Sequence, residues 1–233
     1  MSRETLDLES RLLYRDGLML VIDKPAGIPV HAGPGGGETL EACFDQLRFG
    51  LPKPPALAHR LDRDTSGCLV LGRHRKALAK LGRLFQAGKV EKTYWALTAA
   101  RPRKDTGYID APLKKIGTGR GWTVTAAPDG QPARTRYTVL GEADGLVWIE
   151  ASPRTGRTHQ IRVHLAELGC PILGDTQYGG PPAPDGGTLL LHARAVQVPL
   201  YPSRDPVRVA AAAPARMAAV LARLEGGTRT QGA

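Results

Sequence analysis

Apolar and polar positions along this chain alternate between two periods, and the changes of period mark its elements. "GLMLVIDKPAG" (residues 17–27) is a near-continuous apolar run closed by Pro25 and Gly27, which reads as a short strand. "GCLVLG" (67–72) is a second such run. Across residues 75–87 the period changes. Leu78, Leu81, Leu84 and Phe85 recur at helical spacing with Lys and Arg opposite, and Gly88 is placed to stop the helix. "KTYWALTA" (92–99) returns to period two, so Thr93, Trp95 and Leu97 oppose Tyr94, Ala96 and Thr98. Tyr137–Leu140 and Leu146–Glu150 predict two more strands joined by "GEADG". Ile161, Leu165 and Leu168 form the stripe of another helix, with Thr158 as its N-cap and Gly169 and Pro171 at its end. "TLLLHARAVQVPLY" predicts one strand or a bent pair. Helices are also expected after Thr39, through Leu40, Cys43, Phe44 and Leu47, and from Pro214 through Met217, Val220, Leu221 and Leu224.

Between these elements, "HAGPGGGETL" and "LGDTQYGGPPAPDGG" read as Gly/Pro-rich loops, and residues 101–136 as a hairpin with loops. That last stretch carries eight Lys or Arg against three Asp, which is a solvated basic surface unless something binds it. No repeat and no linker divides the chain. It is expected to form one catalytic domain over residues 14–225, after an extension of residues 1–13 and before a disordered tail, 226–233.

The 233 residues are 42% apolar, enough for a real core. The net charge of +10 favours a polyanionic partner, of which nucleic acid is the commonest. No apolar run reaches the length of a membrane span, no lipidation motif or basic amphipathic helix points to a membrane surface, and "MSRETLDLES" is no signal peptide. Cys43, Cys68 and Cys170 are far apart and odd in number, which excludes a disulfide framework and fits a cytoplasmic protein.

Several chemistries fall away. His159 and His164 would lie about 140° apart around a helix and cannot share a ligand face, and no HExxH or Cys/His pair exists. Read alone, His59 is a hydrogen-bonding partner, not a metal ligand. There is no GxSxG elbow, Walker lysine or dinucleotide glycine pattern. What remains is Asp62 in "AHRLDRDTSG", between Arg60 and Arg63 and ahead of a tight turn. A carboxylate acts on an electrophilic carbon when it is kept ionised, desolvated and aimed, and a guanidinium favours the ionised form. Arg60 is badly placed for this on the same stretch. An arginine from another element suits better, and Arg162 is the candidate.

"HRLDRDTSG", "EKTYWAL" about thirty residues later and "RTGRTHQIRVHLAELGCPILGD…YG" occur in an order that resembles the RluA family of RNA pseudouridine synthases. "VIDKPAGIPVH" resembles that family's opening motif, and "LLLHA" the strand after its Arg-rich block. The likeness runs over roughly residues 13–213.

This resemblance implies an α+β pseudouridine synthase fold, with a central mixed, mainly antiparallel sheet, flanking helices and an active-site cleft. It implies an isomerase that turns uridine into pseudouridine in RNA with no metal and no cofactor. Asp62 would be the catalytic aspartate, either taking a ribose proton or attacking the flipped-out nucleotide. Tyr94 would stack on the uracil and Arg162 would pair with Asp62. Arg60 would fill the space of the extruded base, with His59 beside it, while Arg154 and Arg157 would hold phosphates or cap a loop. The expected substrate is a stem-loop of 23S rRNA or tRNA, gripped by the catalytic domain of a monomer. The stretch before "LYRDG" is too short for the S4 RNA-binding module of many relatives, so Lys114 and Lys115 are expected in the grip. An RNA-binding protein without catalysis would lack Asp62, Tyr94 or Arg162. A glycosidase would keep Asp62 and release the base to water.

Overall fold

In the computed structural model, which describes residues 6–32, 36–118 and 121–228, both periods become real elements. In chain order they are β1 (Leu12–Arg15), β2 (Met19–Lys24), β3 (Ala56–Leu57), β4 (Ser66–Gly72), α1 (Arg75–Gln86), β5 (Glu91–Thr98), β6 (Thr106–Asp110), β7 (Leu113–Thr118), β8 (Gly121–Ala126), β9 (Arg134–Ala143), β10 (Leu146–Pro153), α2 (Gln160–Glu167), β11 (Leu191–Val198), β12 (Val207–Ala210) and α3 (Ala215–Thr228). The expected helix after Thr39 is a 3-10 helix, Leu40–Leu47. The chain folds as two compact units, residues 1–91 with 193–212, and residues 92–192 with 213–233.

In the first unit, β2 runs antiparallel to β1 and to β4, in register from Met19↔Gly72 to Lys24↔Gly67. Every residue of β4 is buried, which is why its sequence is a continuous apolar run and not an alternating one. The far edge of β4 takes β3 and β11, and β12 pairs with β11. Met19, Val21, Val70, Leu81, Val196, Val198 and Val209 fill the core. α1 packs Leu81 inward, and the His74 Nδ1 caps it by accepting from the Ala77 N–H at 3.3 Å. β1, β3 and β12, of two to four residues each, are too short for their periods to show in the sequence.

The second unit is built on the strand order β5–β10–β9–β6, with antiparallel registers throughout that path. Within "GEADG", Asp144 and Gly145 both take positive φ (53° and 72°), giving the two-residue turn whose twist suits an antiparallel hairpin. The β7–β8 hairpin is a separate two-stranded sheet. Leu97, Trp148, Leu173, Leu190, Met217, Leu221 and Leu224 form the main core, with Trp95 edge-on to Trp148. α3 continues through Thr228, into the stretch expected to be a tail, and residues 229–233 lie outside the described residues.

α2 starts later than expected. His159, not Thr158, is its N-cap, in the left-handed region at φ 53°. The cause is the buried Gln160. Its Nε2 donates to the Arg134 carbonyl (3.1 Å) and Thr135 Oγ1 (3.0 Å), and its Oε1 accepts from Thr155 Oγ1 (2.7 Å) and the Arg157 N–H (3.0 Å). Four bonds at one amide decide where the helix begins. One turn on, the buried His164 lies between Thr135 Oγ1 (2.8 Å) and the Ala111 carbonyl (3.0 Å). A carbonyl only accepts, so Nε2 carries the proton and Nδ1 accepts from the hydroxyl.

Burial holds the His164 pKa below its usual value, although the Ala111 carbonyl, Asp110 and Glu167 favour the cation. The folded state therefore binds a proton less readily than the unfolded chain. Its contribution is fully present above about pH 6.5 and is lost as pH falls from there through the folded value. Thermal melts between pH 7.5 and 5 are expected to show this decline, and His164→Asn to remove the part that depends on this ring.

Candidate active site

Asp62 stands at the head of a turn closed by the Thr65 N–H, which donates to the Asp62 carbonyl at 3.2 Å. Leu61 is buried just before it, while Arg60 and Arg63 are exposed, so the side chains sort by polarity where the chain bends. The turn is held from beneath by Lys24, the last residue of β2, whose side chain is fully buried. Its Nζ donates to the carbonyls of Pro25 (2.8 Å), Arg63 (2.8 Å) and Thr65 (3.0 Å), which uses all three ammonium protons. Burial lowers the Lys24 pKa to about 8, while the negative charges of Asp64 and Asp62 act to keep it protonated. Arg63 and Gly27 complete the clasp, Arg63 Nε donating to the Gly27 carbonyl and the Gly27 N–H to the Arg63 carbonyl, both at 3.0 Å.

Gly67 closes the far side. Its φ is +104°, and a Cβ there would stand 2.3 Å from the Ala193 carbonyl oxygen, so no other residue fits. His59 accepts from the Val70 N–H through Nε2 (3.0 Å) and stacks on Phe85 with ring centroids 4.6 Å apart. It is a hydrogen-bonding partner, and it braces the entry to the turn.

The second unit carries the other candidates. Tyr94 lies on β5 opposite Ala151 and is 9% exposed. Two residues earlier, Lys92 Nζ donates to the Thr155 carbonyl at 3.0 Å and ties β5 to the loop that bears Arg154 and Arg157. Burial lowers the Lys92 pKa to about 8 as well. Arg154 and Arg157 are exposed, and Arg157 Nε donates to the Pro132 carbonyl at 3.1 Å. Lys114 pairs with Asp129, and Lys115 lies over the Trp122 ring at 4.1 Å.

Arg162 is held by a partner that sequence reasoning missed. Its Nε and Nη2 each donate to one carboxylate oxygen of Asp175 at 2.7 Å, and Nη2 also reaches Gln177 Oε1 at 3.1 Å. The guanidinium rests 4.8 Å from the centroid of Tyr178. The side chains of this pair are 12% and 1% exposed. A bidentate pair this dry fixes the guanidinium plane in space, and removing one partner would strand a buried charge. Lys24 was missed in the same way. Its signal is a lysine ending a buried apolar run directly before a proline.

The family model described as RNA pseudouridylate synthase matches residues 18–167. The chain belongs to this family. It is 42% identical over 193 residues to an uncharacterized RNA pseudouridine synthase of Zymomonas mobilis, covering 82% of this chain and 88% of that one. It is 40% identical over 177 residues to the ribosomal large subunit pseudouridine synthase C of Vibrio parahaemolyticus, covering 74% of this chain but only 54% of that protein. The human RNA pseudouridylate synthase domain containing 4 superimposes with a TM-score of 0.78 at 28% identity over 94% of both chains. Domain containing 1 gives 0.72 at 27%, over 91% and 86%. The RluA-type resemblance and the α+β fold, a mixed sheet with flanking helices, are both upheld. The family's enzymes are isomerases that act on uridine in RNA. No described helix is long and apolar enough to cross a membrane.

Lys24→Met fills the same space but leaves three inward carbonyls without a donor. Buried polar groups stranded in this way are expected to lower unfolding stability by about 3 kcal/mol or more. Denaturant titration measures that loss. Amide exchange should speed up first in residues 62–67, and unchanged protection there would remove the clasp from the account.

Proposed function

We propose that this pseudouridine synthase isomerises a uridine in a stem-loop of large-subunit ribosomal RNA or tRNA, with Asp62 as the acting carboxylate. The supporting observation is the clasped turn. Asp62 directly precedes a backbone whose carbonyls at Arg63 and Thr65 are tied to a buried ammonium, which supports a carboxylate carried on a rigid turn. Uridine and pseudouridine are isomers. The N1–C1′ bond breaks and a C5–C1′ bond forms, while C5 loses a proton and N1 gains one. Nothing is consumed, so the protein has to supply only a base or nucleophile, a seat for the loose uracil and a place outside the helix for the nucleotide.

The remaining residues fit those needs. Tyr94 offers a ring against which the freed uracil can turn. Arg162 is a guanidinium whose fork to Asp175 holds its plane fixed, as a group that meets a reacting nucleotide needs. Arg60, exposed beside the turn, takes the space the base leaves, a planar cation offsetting part of the unstacking. Arg154, Arg157, Lys114 and Lys115 meet phosphates. A stem-loop suits this surface because bases in loops can be splayed out at the lowest cost. The ribosomal assignment leans on the name of the Vibrio relative. We read the protein as a cytoplasmic monomer.

Asp62→Asn should abolish conversion, measured by pseudouridine mapping of total RNA, while RNA affinity stays near that of the wild type. Turnover surviving in that variant would refute the assignment, and a free uracil product would favour a glycosidase. Lys114→Gln with Lys115→Gln should lower the slope of log affinity against log salt by about one to two. An unchanged slope would take the hairpin out of the RNA footprint.

A further inference from the structure

The β7–β8 hairpin carries an aromatic surface for which the isomerisation itself has no use. Residues directly opposed in an antiparallel pair share a face, so Leu113, Lys115, Trp122 and Val124 lie on one side of the hairpin. Its inner half is core, with Leu113 and Val124 buried among Ala133 and Val163. Its outer half is not. Trp122 stays 40% exposed, although the other two tryptophans, Trp95 and Trp148, pack edge-on inside the unit. Among the described aromatic residues, Tyr108 is more exposed still, at 62%, but Trp122 shares its face with a lysine set over its ring.

The indole also has a built seat. The His159 ring lies 5.0 Å from it at 31°. His159 is set by its left-handed backbone and by a 2.7 Å hydrogen bond between Nδ1 and the Tyr178 hydroxyl. That hydroxyl accepts in turn from the Val124 N–H at 3.1 Å, and Gln177 Nε2 donates to the Trp122 carbonyl at 3.4 Å. The Arg162 guanidinium also rests on this assembly, over Tyr178. The seat that carries Trp122 therefore also carries the arginine, and whatever stacks on the indole is held at a set distance from Arg162.

The surroundings select the occupant. Lys115 Nζ lies 4.1 Å over the indole, Lys114 is on the same strand, and the stretch 101–136 is strongly basic. A π face beside an ammonium matches a nucleotide, with the base on the ring and the phosphate on the cation. Bases inside a duplex have no face to offer. The present Lys115–Trp122 contact is no obstacle, because an exposed cation–π contact is weaker than a base–aromatic stack and the released ammonium gains a phosphate. We propose that Trp122 is a stacking platform for one unpaired base of the RNA substrate, apart from the target uridine, with Lys115 on the phosphate of that nucleotide. This rests on the reading of the protein as an enzyme of stem-loop RNA. It adds the reason a loop is chosen over a duplex, since the platform rewards a second unpaired base.

The test uses fluorescence anisotropy with a labelled stem-loop RNA and a labelled blunt duplex of the same composition, on the wild type, Trp122→Leu and Trp122→Phe. Leucine should weaken stem-loop binding by about 10-fold or more, phenylalanine should recover most of that, and duplex binding should be alike in all three. The wild type's indole emission should also be quenched by the stem-loop but not by the duplex, and this quenching should vanish in Trp122→Phe, a reading that does not depend on how well the leucine variant folds. Stem-loop binding by Trp122→Leu equal to the wild type, equal weakening for both RNAs, or quenching that persists without the indole would each overturn the platform and leave the enzyme assignment standing. A wild type that binds neither RNA would bring down both.

Discussion

A buried ammonium with three carbonyl partners is the constraint on which the Asp62 turn depends. Lys24 is fully buried, and an isolated charge in such a place would be intolerable. It is tolerated because each of its protons meets an oxygen. Those oxygens belong to the residues that form the turn and its approach, Pro25, Arg63 and Thr65. The same bonds run the other way. Backbone carbonyls that face inward at a bend would otherwise be unsatisfied, and here they have a donor stronger than any amide. The turn cannot relax without uncovering a charge, so a short irregular loop gains the rigidity of a strand. Gly67 makes this possible sterically, because the backbone at Ala193 passes where any side chain would sit.

The second unit repeats the device with the opposite polarity of need. There the cation is the less buried partner, and the buried carboxylate of Asp175 holds it. Gln160 and His164 extend the theme. Both are buried polar side chains in α2 with their hydrogen-bonding capacity taken up by β9, the loop before the helix and the Ala111 carbonyl. Networks of this kind add little net stability over apolar packing, but they admit one arrangement and reject its neighbours. For Arg162 and the start of α2, the rejection of alternatives matters more than the free energy.

Much of this was legible beforehand, for identifiable reasons. β2, β4, β5, α1 and α3 bury one face or both against a large core, and burial writes a period into the residues. β1, β3 and β12 were not foreseen, because two to four residues cannot establish a period. The start of α2 was misplaced by one residue. Thr158 has the right chemistry for a cap, but the amide of Gln160 outweighed that local preference. Lys115 and Trp122 could be read as basic and aromatic, yet their contact follows from a hairpin register that the spacing alone left open.

The sequence by itself determined the order of the elements, the basic character of the surface and the short blocks around Asp62, Tyr94 and Arg162 that identify the family. Local composition and periodicity carry that information, and both survive in a linear string. The tertiary structure alone decided what Lys24 and Arg162 bond to. The carbonyls that hold Lys24 at Arg63 and Thr65 lie 39 and 41 positions along the chain, and the carboxylate on Arg162 lies 13 away in a loop with no period of its own. Periodicity reports which face of an element is covered. It is silent about which atom covers it, and for a buried charge that atom is what decides between a stable site and an impossible one.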